Sequence, residues 1–459
     1  MNTDLARERL AEETPEQKAV YSKILWRLMP FLGLLYFVAN ADRAALAYAG
    51  PGGMNQELGL TAAAFGMLSG IFFIGYVLFE VPSNVLLLKF GARRWIARII
   101  ITWGIVQALS AWAPNETVVA ICRVLLGICE AGFAPGVLFY LTLWLPARKR
   151  TWAYGIFFAC GLSMGIFGGP IMSGLIQWGA ANPIFGLSGW RFMFLVTGIV
   201  PFVLGILVLF ILPDHPRKAS WLKNAEVEII EDDLAIEQKA ITGRAHSGIL
   251  QALKDWRTWA LGLAIFTVTY GANTTIFFAP TMVKGFNVLY GAQLDGVQVA
   301  WIVAIPVFVG VTAALVTSRM VARSLKYGPW AFGLTCIGAI GALTVTFSES
   351  PVVMMAGMCL LAVCTSSTAA VAFSIVPKLF AVAAAATAMA LVNTIGNVGG
   401  FAGPYLTGAI ITATGSETLP FIVIASLLVT GGLGMFLIDR HANRVREHEH
   451  ELKSNSTAQ

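Results

Sequence analysis

Four ionisable residues lie inside segments that are otherwise almost wholly apolar, and they carry the strongest chemical signal in the sequence. Asp42 and Arg43 are adjacent in the first such segment. Arg123 and Glu130 lie seven residues apart, which puts them two turns apart on one face of a helix. Arginine holds a carboxylate with a planar fork of donors, and a carboxylic acid at low dielectric can carry a proton near neutral pH. Together these residue types favour binding of a small anion coupled to proton transfer.

The same charges allow a structural interpretation, because ionisable groups inside a membrane commonly pair with one another. In that case, ion pairs hold the helix of Asp42 and Arg43 against the helix of Arg123 and Glu130. Glu80 lies toward the predicted cytoplasmic end of its segment, so we predict for it a structural or gating ion pair with a basic cytoplasmic residue. All five histidines lie outside the apolar segments, so a proton relay would use carboxylates.

Uncharged polar side chains supply the remaining candidates. Interhelical hydrogen bonding is the alternative role for each of them, because Ser, Thr and Asn commonly serve it in membranes. The sequence has no nucleophile–base pair and no metal-ligand spacing, and its six cysteines lie in apolar runs. We therefore predict that the protein is not an enzyme and uses no metal or cofactor. The neutral pocket candidates are Tyr76 and Ser163 in the first half and Thr365, Ser366, Thr368, Asn393 and Asn397 in the second.

The composition indicates which elements position these residues. Of 459 residues, 57% are hydrophobic and 12% are charged, whereas roughly 25% of a soluble domain is charged. Apolar runs of about 20 residues, the length that spans a bilayer, recur along the chain. We predict an all-α membrane protein with twelve transmembrane helices, near residues 27–49, 62–87, 95–113, 118–144, 152–178, 191–212, 259–283, 298–318, 329–347, 352–376, 383–412 and 419–438.

Internal similarity predicts that the two halves are repeats. The fifth span carries GIFGGP and the eleventh carries GNVGGFAGP. Aligning the fourth span with the tenth matches Glu130 with Thr365. The same alignment matches Arg123 with Met358. Two six-helix repeats suit alternating access around a site near the middle of the membrane. The predicted segments are a cytoplasmic tail (1–26), a six-helix bundle (27–213), a cytoplasmic linker (214–257), a second six-helix bundle (258–438) and a cytoplasmic tail (439–459).

Basic residues predict the orientation. Of the 31 Lys and Arg residues, 27 fall in segments that are cytoplasmic if both termini are cytoplasmic, and two fall in outer loops. By the positive-inside rule, both termini face the cytoplasm of a multi-pass inner (cytoplasmic) membrane protein. The net charge of +6 then reflects basic cytoplasmic loops and predicts no nucleic-acid partner. The polar N-terminal stretch lacks the apolar core of a cleaved signal peptide.

Three runs of sequence carry a resemblance to a known family. They are GYVLFEVPSNVLLLKFGARRWIAR (75–98), RVLLGICEAGFAPGVLFYLTLWLPARKR (123–150) and GNVGGFAGPYLTG (396–408). The chain resembles the major facilitator superfamily, and within it the anion:cation symporter family of tartrate, phthalate, hydroxyphenylacetate and galactonate permeases. The resemblance implies carboxylate contact by Arg43 and Arg123, proton exchange by Asp42 and Glu130, a pocket shaped by Tyr76, Ser366, Thr368 and Asn393, and a gating loop with Lys89, Arg93 and Arg94.

We therefore expect a secondary active transporter that takes up a small organic anion, such as a carboxylate, an aromatic acid or a hydroxy acid, by proton symport. We expect it to work as a monomer in the bilayer. Export or facilitated passage of a similar metabolite is the alternative, because alternating access is reversible. A receptor or sensor on a transporter scaffold is a minor alternative.

Overall fold

The computed structural model describes residues 14–241, 254–289, 291, 293–324, 326–379 and 382–457, and the regular elements of these residues are all helices. Short helical turns occupy Gly50–Met54, Asn55–Glu57, Ser110–Trp112, Ile184–Gly186 and Pro216–Lys218. The longer helices are α1 (Pro15–Ala49), α2 (Ala62–Phe90), α3 (Ala92–Leu109), α4 (Glu116–Glu130), α5 (Phe133–Thr142), α6 (Ala147–Ala181), α7 (Gly189–Ile211), α8 (Asn224–Ile241), α9 (Trp256–Leu289), α10 (Gly296–Ser324), α11 (Tyr327–Phe347), α12 (Pro351–Leu379), α13 (Val382–Thr414) and α14 (Pro420–Thr457).

The length and hydropathy of these helices confirm the predicted all-α membrane fold. Eleven stretches of the described residues are long and apolar enough to cross a bilayer, and α4 with α5 counts as one of them. The remaining predicted span, the eleventh (383–412), coincides with α13, which is 33 residues long.

Local sequence explains where two of the helices begin. Thr14 precedes α1 and forms a capping box, in which its side chain accepts from the backbone N–H of Gln17 and the Gln17 side chain accepts from the backbone N–H of Thr14. The Asn115 side chain caps α4 by accepting from the backbone N–H of Val118 at 3.1 Å. Such caps satisfy N–H groups that have no partner within the helix.

A glycine divides the fourth span. The helix α4 ends at Glu130, and Gly132 has φ of +85° before α5 begins at Phe133. Glycine adopts this left-handed conformation without steric cost. A Cβ atom at this position would also lie 2.5 Å from Oγ of Ser83, so the chain needs a residue without a side chain here. The predicted span 118–144 therefore consists of two helices that meet directly after Glu130.

The described residues form two compact units. Unit 1 contains residues 14–53 and 74–241, and unit 2 contains residues 54–73 together with the described residues from 254 to 457. In unit 1, α1 packs on α6 and α7, and α3 packs along α7. In unit 2, α9 packs along α13, and α11 packs on α12 and α14. The division into two six-helix bundles and a linker stays a prediction, and residues 1–13 and 242–253 of the predicted tail and linker lie outside the described residues.

The linker helix α8 docks on the start of α1 within unit 1. The Tyr21 hydroxyl donates to Oδ2 of Asp233 at 2.5 Å, and the Gln17 side chain donates to Oδ1 at 3.0 Å. Lys23 and Glu226 form an ion pair at 2.8 Å. Because Asp233 is buried, these contacts tie α8 to α1, the helix that also carries Asp42 and Arg43.

Candidate functional site

An ion pair joins α1 to α4 inside unit 1. Nε of Arg43 donates to Oε1 of Glu130 at 2.8 Å, and Nη2 lies 2.6 Å from the same oxygen. The Glu130 side chain is 1% exposed, whereas the Arg43 side chain is 32% exposed. The two residues are 87 positions apart in the chain, so the structure brings together two charges that the sequence only placed in separate spans.

The break in the fourth span determines the surroundings of Glu130. As the last residue of α4, it lies beside carbonyl groups that have no partner within the helix, and these carry partial negative charge. A carboxylate there is unfavourable unless a cation offsets it, and Arg43 supplies that cation. Oε2 of Glu130 is buried and has no hydrogen-bond partner among the described residues. One oxygen of this acid is therefore still available to a proton or to a donor group.

Arg123 completes the cluster from the middle of α4, two turns before Glu130. Its side chain is buried, and it interacts electrostatically with Glu130, Asp42 and Arg43. Two acids and two arginines give the cluster no formal net charge, which lowers the cost of holding four ionisable groups inside a membrane protein. The structure therefore places the four residues that the sequence singled out in one group within unit 1.

Asp42 differs from Glu130 because neither of its carboxylate oxygens has a hydrogen-bond partner among the described residues. Its side chain is buried and interacts electrostatically with Glu130 and Arg123. The indole of Trp103 on α3 also interacts with it, but the pair does not meet hydrogen-bond geometry. In the part of the chain that the structure describes, both oxygens of Asp42 and Nε1 of Trp103 have no hydrogen-bond partner.

The ring of Tyr76 lies beside the guanidinium of Arg43, and Tyr36 also interacts with Arg43. Cζ of Arg43 lies 4.9 Å from the ring centroid of Tyr76 on α2, a geometry that favours a cation–π interaction. Tyr36, two turns before Arg43 on α1, stacks on Phe157 of α6 with ring centroids 4.1 Å apart. The Tyr76 ring therefore limits the positions that the guanidinium can take on one side.

Glu80 lies nearer to this cluster than its depth along α2 suggested. Its carboxylate is half-buried and interacts electrostatically with Arg43. No ion pair between Glu80 and a cytoplasmic base occurs among the described residues. The structural or gating role stays a prediction, with Arg43 as the observed charged neighbour.

The basic residues of the loop between α2 and α3 have different surroundings. Nε of Arg93 lies 3.6 Å from Oδ2 of Asp214, and Nζ of Lys218 lies 3.7 Å from the same oxygen. Lys89 lies 5.8 Å from the ring of Phe90, and Arg94 is exposed. Of the three predicted gating bases, Arg93 is therefore the one with a described acidic partner.

Two residues were missed by sequence reasoning. Asp214 is the first acid after the sixth span, and that position beside a basic loop could have indicated its pairing with Arg93. Trp103 lies at the centre of the third span, whereas tryptophan is enriched at the ends of membrane helices. Its position in the middle of the span, rather than at an end, could have indicated that it interacts with a buried polar group such as Asp42.

The neutral candidates of unit 2 do not form one group. Thr368 is fully buried, with Oγ1 3.7 Å from Sγ of Cys364 on the same helix. Ser366 lies on the α12 face that approaches Gly310 and is exposed, as is Asn393 on α13. Ser366 and Thr368 point to nearly opposite sides of α12 because they are two residues apart on a helix. Their roles in a pocket stay predictions.

In the described part of the chain, no cluster of His, Cys, Asp or Glu could hold a metal ion.

Comparison with known proteins identifies a family and several relatives. The family model of the Major Facilitator Superfamily matches residues 32–348 and 292–458. A "Putative tartrate transporter" of Agrobacterium vitis is 37% identical, over 92% of this chain and 95% of that protein. The "Putative metabolite transport protein NicT" of Pseudomonas putida is 34% identical, over 92% and 94%. A "Quinolone resistance transporter" of Acinetobacter baumannii is 33% identical, over 92% and 95%.

Solved structures share the fold. A bacterial homologue of the human lysosomal transporter Spinster, in an inward-facing and unoccupied conformation, superposes with a TM-score of 0.72 at 17% identity, covering 94% of this chain and 99% of that one. The nucleoside transporter NupG gives a TM-score of 0.65 at 12% identity, covering 90% and 98%. At these identities the likeness concerns the fold alone.

Proposed function

This chain belongs to the major facilitator superfamily, and on that premise we propose that it carries a small organic anion into the cell together with protons, by alternating access. The protein is a multi-pass membrane transporter and not an enzyme. Beyond membership of this transporter family, the proposal specifies the class of substrate, the coupling ion and the direction of transport.

The observation that carries the proposal is the ion pair of Arg43 with the buried carboxylate of Glu130. A substrate carboxylate is chemically similar to the side chain that Arg43 already holds. When Glu130 takes up a proton, its attraction for Arg43 falls, and the guanidinium fork becomes free to bind the substrate. When the substrate leaves, Glu130 releases its proton and recovers Arg43. Competition between two carboxylates for one arginine thereby couples proton binding to anion binding.

A second acid supports accumulation of the anion. Asp42 and Glu130 together permit two protons to accompany each monoanion, so that one net positive charge moves inward. Each elementary charge is driven by about 2.3 kcal/mol for every 100 mV of inside-negative potential. With a single proton the cycle would be electrically neutral for a monoanion, and the membrane potential would contribute nothing.

The relatives support a carboxylate as substrate. Two transporters of Agrobacterium vitis at 37% and 36% identity bear the name "Putative tartrate transporter". Arg43 and Arg123 each offer a guanidinium group, a planar fork of donors of the kind that binds carboxylates. We place the protein in the inner membrane as a monomer, with both termini in the cytoplasm, because the basic residues favour that orientation. Tyr76, Ser366, Thr368 and Asn393 are the proposed pocket residues.

Reconstituted protein tests the proposal. Proteoliposomes with an alkaline interior and an inside-negative potential are given radiolabelled tartrate, and then a panel of aromatic and hydroxy acids. We expect at least one acid to accumulate above its external concentration and to leak out when a protonophore removes the proton gradient. Passage that only equalises the concentrations would contradict proton coupling. Absence of transport for every acid would contradict the substrate class.

Export is a second candidate, favoured by the similarity to a protein named "Quinolone resistance transporter" at 33% identity. Expression in a drug-sensitive bacterial strain distinguishes the two directions. If export is the function, cells that express the protein will tolerate more quinolone and retain less of it. If uptake of an organic anion is the function, quinolone tolerance will be unchanged while growth on the transported acid improves.

A further inference from the structure

A cavity of about 840 Å³ lies in unit 1, bounded by α5, the start of α6, the turn at Pro216–Lys218 and α8. This volume falls within the roughly 300–1,000 Å³ that is typical of ligand sites. The described residues of its lining include none of the four charges that meet around Glu130. The cavity is therefore a separate candidate site, which the proposed transport cycle does not use.

The cavity lies at the boundary of the apolar spans. The fourth span ends at Thr142, which lines the cavity, and the sixth ends at Ile211, four residues before the lining residue His215. The fifth span begins at Trp152, two residues after the lining residue Arg150. The Trp152 side chain is 65% exposed, as expected of an aromatic residue at a membrane–water interface. These positions place the cavity at the level of the lipid headgroups.

Contacts within unit 1 hold the walls of the cavity in place. The Tyr140 hydroxyl on α5 donates to the carbonyl of Pro213 at 2.8 Å. Trp144, just after α5, stacks on Trp221 of the linker with ring centroids 5.8 Å apart. The linker helix α8 is fixed in turn to α1 through Asp233. The linker is thus held against α5, and the cavity between them is formed without a ligand.

The described lining combines apolar surface with exposed positive charge. Phe139 and Leu143 of α5 and Leu234 of α8 contribute the apolar surface. The side chains of two lining bases reach water, with exposed fractions of 74% and 67%. Basic pockets at the ends of membrane helices bind the headgroups of anionic lipids. The charged members of the described lining are three bases and one acid: Arg150, Arg217, Lys218 and Glu231.

The pairing of Arg217 shows how this site holds an anion. Its Nε and Nη2 donate to the two oxygens of Glu231 at 2.5 Å and 2.6 Å, the two-point geometry with which arginine also binds phosphate. The hydrogen bond from Arg217 lowers the pKa of Glu231, so this acid is ionised near neutral pH and competes with any other anion. Nζ of Lys218 lies 3.7 Å from Oδ2 of Asp214, an oxygen that Arg93 also approaches. The excess of positive charge therefore persists around the cavity.

We propose that this cavity binds one anionic phospholipid, with its phosphate held by Arg217 and Lys218 and its acyl chains along Phe139 and Leu143. Free phosphate shares the chemistry of the headgroup, but it leaves the apolar wall without a partner, and this favours the lipid. The predicted orientation places the cavity in the cytoplasmic leaflet, which is the anionic one. A lipid bound here attaches the linker between the two units to the bilayer. Binding at this site does not rest on the proposed proton coupling.

Native mass spectrometry of the full-length protein in detergent counts the bound lipids directly. Phosphatidylglycerol is titrated into the protein, with phosphatidylcholine as the zwitterionic comparison and inorganic phosphate as the free ion. We expect the first phosphatidylglycerol to bind about tenfold more tightly than phosphatidylcholine and to stay bound in excess phosphate. Equal affinities for the two lipids would overturn the proposal. Displacement of the lipid by inorganic phosphate would identify a free-phosphate site instead and would also overturn it.

Two lysines of the linker provide a matched pair of variants. Lys218 and Lys223 are both exposed, but Lys223 is not among the described residues that line the cavity. Lys218→Gln should weaken binding of the first phosphatidylglycerol about fivefold, whereas Lys223→Gln should leave its affinity within about twofold of native. Equal losses in the two variants would show that the net charge of the linker attracts the lipid, which contradicts a defined site.

Glu231→Gln tests the site in the opposite direction. It removes the acid that competes for Arg217, so we expect phosphatidylglycerol to bind about threefold more tightly. Misfolding does not produce a gain in affinity, so this variant remains informative if another is unstable. A photoreactive phosphatidylglycerol then locates the lipid, and we expect crosslinks within residues 139–143 or 231–235. Unchanged or weaker binding by Glu231→Gln, or crosslinks confined to other segments, would overturn the proposal.

Discussion

The sequence alignment predicts that the fourth and tenth spans occupy matching places in the two halves, and the chemistry of the two spans differs. The fourth carries Arg123 and Glu130, and it breaks into two helices directly after the acid. The tenth carries Met358 and Thr365 at the matching positions, and α12 continues through both without a break. Met358 is fully buried, and the Thr365 hydroxyl donates to the carbonyl of Ala362 on its own helix.

Under the proposed function, this difference assigns the proton and anion chemistry to the first half. A break beside an acid leaves helix-end carbonyls next to it and gives the acid room to exchange partners. A continuous helix with a hydroxyl bound to its own backbone offers neither. Close helix packing, by contrast, is common to both halves: a Cβ on Gly104 would lie 2.6 Å from the backbone nitrogen of Phe202, and one on Gly341 would lie 2.6 Å from the carbonyl oxygen of Gly357. Close packing at glycines therefore occurs in both halves, whereas Asp42, Arg43, Arg123 and Glu130 lie in the first half.

The largest difference between the halves should appear on removal of Arg123. Arg123→Ala leaves a buried cluster with one excess negative charge, a change that costs about 3–5 kcal/mol in comparable buried pairs. We expect the affinity for the transported acid to fall more than a hundredfold, as measured by calorimetry in detergent. The matched variant Met358→Leu conserves volume in the second half, and its affinity should stay within threefold of native. Equal losses in the two variants would remove the functional distinction between the halves, and native affinity in Arg123→Ala would make that arginine structural.

A smaller effect should follow from Arg43→Lys. Lysine keeps the charge but cannot present the two nitrogens that approach Oε1 of Glu130, at 2.8 Å and 2.6 Å. It also gives up the guanidinium contact with the ring of Tyr76, in which Cζ lies 4.9 Å from the ring centroid. We expect kcat/KM for uptake to fall about tenfold, which is about 1.4 kcal/mol. Arg217→Lys is the control, because Arg217 forms a similar two-nitrogen pair with Glu231 on the exposed linker. Equal rates in the two lysine variants would show that charge alone suffices at position 43.

The smallest effect on transport should follow from a change at Gly132, where the fourth span breaks between α4 and α5. Gly132→Ala places a side chain at φ of +85° and toward Ser83, so we expect a loss of about 1–2 kcal/mol of stability and a severalfold lower transport rate. Thermal unfolding in detergent and uptake in proteoliposomes measure the two quantities. Gly155→Ala in α6 is the control, since a Cβ there meets no other atom within 4 Å. A Gly132→Ala variant as stable and active as Gly155→Ala would mean that the break has no functional importance.

Much of this comparison was predictable from sequence for a physical reason. Charges inside apolar runs are costly and therefore rare, so Asp42, Arg43, Arg123 and Glu130 were found by hydropathy alone. The twelve spans were found in the same way. Partner choice was not predictable, because the pairing of Arg43 with Glu130 depends on how distant helices pack.

Other features depend on details that composition does not record. Glycines are frequent throughout the spans, so the left-handed backbone of Gly132 had no distinguishing signal. Thr368 and Ser366 looked equivalent in sequence, yet the first is buried in unit 2 and the second is exposed. The interaction of Glu80 with Arg43 and the position of Trp103 beside Asp42 likewise depend on side-chain directions in the folded unit.

The central claim is that the charges of the first half couple protons to anion movement, and Glu130→Gln tests it most directly. Glutamine keeps the size of the side chain and cannot exchange a proton. In proteoliposomes with an imposed proton gradient, we expect accumulation of the transported acid to be lost, while exchange of labelled for unlabelled acid across the same membrane continues. Concentrative uptake by Glu130→Gln at the native level would contradict the account.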